Sequence, residues 1–72
     1  MILDESAGVT INGEPRRVTV GLSIAAMLAE IGLDPARVAV ERNRVIVARS
    51  TLSEVEVEDG DAFEIVHFVG GG

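Results

Sequence analysis

Gly60-Asp61-Ala62-Phe63-Glu64-Ile65-Val66-His67-Phe68-Val69-Gly70-Gly71-Gly72 closes the chain, and its reading decides the fold. Side chains alternate across a strand, so one assignment of faces fixes all of them. A carboxylate is costly in a dry core. Glu64 therefore faces outward with Ala62, Val66 and Phe68, and Phe63, Ile65 and His67 face a helix. Val66 and Phe68 then form an exposed apolar pair beside an acidic rim that includes Asp61 and Glu64, a partner-docking pattern. Asp59-Gly60 is the turn that launches this strand, which runs from Ala62 to Val69.

Working outward from that strand, Val55 and Val57 alternate with Glu54, Glu56 and Glu58, and residues 49–54 read as a polar crossing segment. Val38 and Val40 alternate with Ala39 and Glu41. Asn43 offers a left-handed turn before Val45 to Ala48, which predicts a hairpin. Ser23 is a suitable helix N-cap, and Ile24, Met27, Leu28 and Ile31 follow at i, i+3, i+4 and i+7. Gly32 sits where a left-handed residue ends a helix, and Pro35 blocks continuation. Nearer the start, Val9 and Ile11 precede Asn12-Gly13, whose residue types suit a two-residue turn with both φ values positive. Arg17 to Val20 returns as the second strand, with Pro15 placed on an edge or at the strand start because it cannot donate to a ladder.

The order is therefore hairpin, helix, hairpin, short segment, strand. One amphipathic helix must bury its stripe on one face of a single mixed sheet, which gives a two-layer α+β domain. If the last strand inserts between the hairpins and runs parallel to the first, the result is the ubiquitin-like β-grasp, with four to five strands packed on one helix. The expected limits are an N-terminal extension at 1–6, the domain at 7–69 and a glycine tail at 70–72.

Composition narrows the chemistry. The chain has 72 residues, no Cys and one His, so it has no thiol nucleophile, disulfide or Cys-ligated metal. A chain of this size buries only ~6,700 Å² on folding, too little to wall a deep pocket of ~300 Å³. It should act through its surface or its ends. Residues 1–49 balance six Arg against six acids, so the net charge of -6 sits wholly in residues 50–72. Such a lobe repels phosphate backbones and draws basic protein partners, which argues against nucleic acid. The longest apolar run, Ile24 to Ala29, is far short of the ~20 residues that span a bilayer. Asp4 and Glu5 stand where a signal peptide is basic, so a cytoplasmic protein off the membrane is expected. All six basic residues are Arg, so no side chain can accept an isopeptide bond.

Gly70, Gly71 and Gly72 have no Cβ and extend ~10 Å, enough to carry a carboxylate into a narrow slot. With a pKa of roughly 3.5 that carboxylate is an anion that can attack an activated phosphate, yet it is inert toward nucleophiles until adenylated. A frayed terminus or a linker remnant is the plain alternative. His67 with a nearby Ser supports only a strand position, the acids at 54–64 lack EF-hand spacing, and Arg42 and Arg49 balance local acids. No Gly-rich phosphate loop opens a helix, so any ATP site lies on a partner.

The chain resembles the ThiS family, the sulfur carriers of thiamine (thiazole) biosynthesis. The likeness is carried by Asn12-Gly13, by Val40-Glu41-Arg42-Asn43 with Val45 to Val47 and Arg49, and by Gly60-Asp61 leading through Glu64-Ile65-Val66-His67-Phe68-Val69 to Gly70-Gly71-Gly72; it covers about residues 7–72. The six leading residues and Ser23, where Thr is commoner, depart from the pattern. The resemblance implies a β-grasp carrier that catalyses nothing and holds no cofactor. A ubiquitin-activating-like adenylyltransferase would use ATP to adenylate Gly72, and sulfur drawn through a cysteine desulfurase would convert it to a thiocarboxylate. Thiazole synthase would take that sulfur from the tail, with Asp61, Glu64, Val66 and Phe68 docking the partners. Carriers of molybdopterin synthesis or tRNA thiolation, and a plain β-grasp interaction module, remain alternatives.

Overall fold

A computed structural model describes residues 6–68. Residues 1–5, within the expected extension, and 69–72, which include Gly70, Gly71 and Gly72, lie outside the described residues.

Two hairpins flank the last strand. β1 (Ser6–Ile11) and β2 (Glu14–Thr19) pair antiparallel around Asn12 and Gly13, whose φ values of 52° and 84° are both positive, as the Asn-Gly turn demands. β3 (Val38–Arg42) and β4 (Val45–Val47) repeat the arrangement around Asn43 and Arg44, at φ 51° and 70°. β5 (Ala62–His67) lies between the hairpins, giving the order β2-β1-β5-β3-β4. It runs parallel to β1 and antiparallel to β3, which completes the five-stranded β-grasp sheet. Pro15 sits on the edge strand β2, opposite Thr10. Ser6 already pairs with Thr19, so β1 begins one residue before the expected limit.

The parallel seam between β1 and β5 is short, with only Thr10 opposite Ala62 and Ile11 opposite Phe63. Side chains lengthen it at both ends. Asp59 accepts the Gly8 N–H on Oδ1 at 2.7 Å. At the other end Asn12 donates Nδ2–H to the Ile65 carbonyl at 3.1 Å and accepts the Ile65 N–H on Oδ1 at 2.7 Å. A Cβ on Gly8 would meet Arg17 Nη1 at 2.9 Å, the far end of a flexible side chain that can move aside.

The helix α1 (Ile24–Glu30) packs across one sheet face, with Ile24, Met27 and Leu28 fully buried against Phe63 and Val38. Ser23 Oγ accepts the Ala26 N–H at 3.0 Å, the expected cap. The C-terminus closes as a Schellman motif: Leu33 N–H donates to the Leu28 carbonyl and Gly32 N–H to that of Ala29, with Gly32 at φ 89°.

The segment expected as a polar crossing does more than cross. A short 3-10 turn, Arg49–Thr51, places Leu52 in the core, and the carbonyls of Leu52 and Val55 accept the Ala25 and Ile24 N–H groups at the helix start. Those donors have no partner within a helix, so this backbone caps α1 from outside. Val57 is buried and Val55 half-buried, but their alternation forms no strand; only Ser23 bridges Glu56. Among the described residues no helix is long and apolar enough to cross a membrane.

Candidate functional site

β5 is central in the sheet, and its residues divide as parity requires. Phe63 and Ile65 are buried, while Ala62, Glu64 and Val66 point to the open face. His67 departs from the expectation: it is exposed, although its cross-strand partner Val38 is buried in the core. Phe68 remains attached to the sheet through its N–H, which donates to the Arg37 carbonyl at 3.0 Å.

The open face carries exposed apolar side chains. Val66 (64% exposed) lies opposite Ala39, and in the adjacent row Glu64 faces Glu41, which in turn faces Ile46 (78% exposed). Phe68 (54% exposed) stands at the end of the strand with the Arg49 guanidinium 4.9 Å from its ring centroid. Arg49 was expected to balance acids; its partner is instead an aromatic ring, a cation–π contact. The sequence does not mark Glu41 and Ile46 as docking residues, since which residues flank β5 depends on strand order rather than on local pattern.

Asp61 requires a correction. Although it was grouped with the docking residues, it is only 5% exposed. Its Oδ2 accepts from Arg42 Nε at 2.9 Å and from the Glu58 N–H at 2.8 Å, and its Oδ1 accepts from Asn43 Nδ2 at 3.1 Å. Burial pushes its pKa up, but the Glu58 N–H, Arg42 and Asn43 outweigh burial and hold the carboxyl below its ordinary value. Arg42 also reaches Glu58 at 2.9 Å, and its own pKa is raised, chiefly by its hydrogen bond to Asp61. Asp61 therefore locks the second hairpin to the turn before β5 and presents no charge to a partner.

The acidic lobe is thus partly consumed within the molecule. Asp61 and Glu58 neutralise Arg42, and Asp59 closes the β1–β5 seam. Glu54, Glu56 and Glu64 are exposed and hold no ion pair among the described residues. Surface hollows of about 340 Å³ beside Gly8, Pro15 and Arg17 and about 390 Å³ beside Ile46 and Thr51 are both open to solvent, and neither is a deep walled pocket. A smaller hollow of about 60 Å³ separates Glu41, Glu64 and Val66 on the open face.

Residues 9–72 match the ThiS family profile, a match that runs through the final glycine. The chain belongs to the ThiS family. It is 48% identical over 50 residues to the sulfur carrier protein ThiS of Bacillus subtilis, covering 69% of this chain and 76% of that one. A crystal structure of the thiamine biosynthesis protein ThiS from Geobacter metallireducens superposes with a TM-score of 0.75 at 32% identity, covering 90% of this chain and 99% of that one. The chain is also 48% identical over 64 residues to a protein named thiazole synthase from Paramagnetospirillum magneticum. That match covers 89% of this chain and 20% of the relative, so this chain spans about a fifth of the thiazole synthases it matches. The ThiS match agrees with the sheet order and helix placement described above.

Proposed function

We propose that this chain is a sulfur carrier of thiamine biosynthesis, a co-substrate of partner enzymes rather than an enzyme. A ubiquitin-activating-like adenylyltransferase uses ATP to convert the Gly72 carboxylate into an acyl-adenylate. Sulfur derived from cysteine through a desulfurase displaces AMP, and the resulting thiocarboxylate delivers sulfur to thiazole synthase. The chain contains no Cys, so it has no thiol on which to carry a persulfide, which agrees with the family's use of the terminal carboxylate to bear sulfur. The observation that carries this reading is that the family match extends through residue 72, so the glycine tail belongs to the family pattern.

The open face supports docking. Val66, Ile46 and Ala39 supply an apolar centre, Glu41 and Glu64 a negative border, and Phe68 stands at the root of the tail. Apolar contact would provide most of the affinity and the carboxylates the steering toward basic partners. Thiazole synthase as a partner is supported by the two proteins of that name, in each of which a segment similar to this chain shares one polypeptide with the remainder.

Removal of Gly72 tests this reading. A carrier so truncated no longer supports pyrophosphate release from ATP by the adenylyltransferase, while its affinity for that enzyme persists through the open face. A chain whose function is unaffected by the truncation is an interaction module instead.

A further inference from the structure

The chain has six Arg and no Lys, and the structure divides the six by what they need. Arg42 forks between Asp61 and Glu58, and Arg17 donates from two nitrogens to the Ser6 hydroxyl and carbonyl. These sites use guanidinium geometry that an ammonium lacks. The other four do not. Arg37 meets Asp34 at 3.6 Å with both side chains exposed, Arg49 covers the Phe68 ring, and Arg16 and Arg44 are exposed without an ion pair among the described residues. An ammonium makes an exposed ion pair or a cation–π contact as well. Fold chemistry therefore does not explain why these four are all arginine.

Their chemistry toward an acyl group does. We propose that the lysine-free surface keeps the activated tail from acylating its own domain, and that Arg37 and Arg49 matter most because they stand at the root of the tail. This rests on the carrier reading, in which Gly72 becomes an acyl-adenylate. A neutral amine would attack the Gly72 carbonyl carbon; the C–N bond forms, the C–O bond to phosphate breaks, AMP leaves with that oxygen, and the nitrogen loses a proton to solvent. The product is a dead-end amide. Lys, with a pKa of ~10.4, supplies neutral amine at mildly alkaline pH, whereas the far more basic guanidinium stays protonated.

Geometry separates near positions from far ones. The Phe68 N–H is bonded to the Arg37 carbonyl and its ring lies under Arg49. From Phe68, the four residues to Gly72 span at most ~14 Å, so chain length alone puts Gly72 within reach of either position. Arg16 is level with Asp61, because it pairs with Val9 while Ile11 pairs with Phe63. It is also two strands to the side of β5. Seven residues along and two strands across place it ~25 Å from Phe68, beyond the ~20 Å reach of tail plus lysine stem.

The test compares wild type, Arg37→Lys, Arg49→Lys and Arg16→Lys, each incubated with ATP and the adenylyltransferase at mildly alkaline pH without a sulfur donor. Intact mass measures the monomer lighter by one water, and pyrophosphate release measures activation. Per pyrophosphate released, Arg37→Lys and Arg49→Lys form that internal amide on the order of tenfold more than Arg16→Lys or wild type, because a short tether supplies a high effective concentration. Equal pyrophosphate release with no amide at either near position overturns the proposal while leaving the carrier reading intact. Absence of pyrophosphate release from wild type overturns both.

Discussion

Asn12 and Asn43 hold equivalent places in their hairpins, each first in a two-residue turn at φ 52° and 51°, and each turns its side-chain amide onto β5 from an opposite side. Asn12 takes both backbone groups of Ile65; Asn43 accepts the Ala62 N–H at 2.9 Å and donates to Asp61. The strand that leads to the tail is thus fastened by side chains where neighbouring strands end. Asn12→Gly keeps a residue suited to the left-handed turn and removes only the clamp. It should destabilise the fold by about 1–3 kcal/mol in urea unfolding and speed hydrogen exchange at the Ile65 amide. Unchanged protection at Ile65 would show that the clamp does not matter.

Acid should weaken the Asp61 lock. The folded-state pKa of Asp61 lies below its ordinary value. Its contribution is therefore complete above the unfolded value of ~3.9 and is lost as pH falls through the folded value. Asp61→Asn should lower the urea midpoint at neutral pH and flatten the loss of stability below about pH 4, because the group that titrates is gone. Parallel acid limbs in wild type and variant would assign that loss to other carboxylates.

Glu41 and Glu64 lie directly opposite one another on the open face. Like charges so placed repel, so Glu41→Gln should stabilise the free protein by roughly 0.2–1 kcal/mol. The gain should shrink as salt screens the pair. A destabilised variant, or a gain indifferent to salt, would mean that the pair is not repulsive.

Docking and folding should separate on the same strand. Val66 is mostly exposed in the free protein, so Val66→Arg should leave the melting temperature nearly unchanged. It should also raise KM for the adenylyltransferase by about tenfold or more if this face is the apolar centre of the interface. Charge reversal at Glu64 should weaken the interaction less, as expected of a rim charge. Unchanged KM in both variants would remove this face from the docking surface.

Much of the architecture was legible because it is written in local pattern. The Asn12-Gly13 turn, the Ser23 cap, the i, i+3, i+4 helix stripe and the alternation of Phe63, Glu64, Ile65 and Val66 each constrain only their near neighbours. What escaped was set by contacts far apart in sequence. Asp61 looks like any acid after a turn until Arg42 and Asn43 close over it. Leu52 sits in a polar stretch, yet the helix start draws it inward through backbone hydrogen bonds. Glu41 and Ile46 join the open face only once β3 is known to lie beside β5. His67 has the right parity for the core and lies opposite buried Val38, yet its own side chain is exposed.

The carrier function is tested most directly by the intact mass of the protein after incubation with ATP, the adenylyltransferase and a sulfur donor. A sulfur carrier exchanges one oxygen for one sulfur, and fragmentation places that change on Gly72. An unaltered mass, under conditions in which the same enzymes load the Bacillus subtilis carrier, would contradict the assignment of this chain as a sulfur carrier.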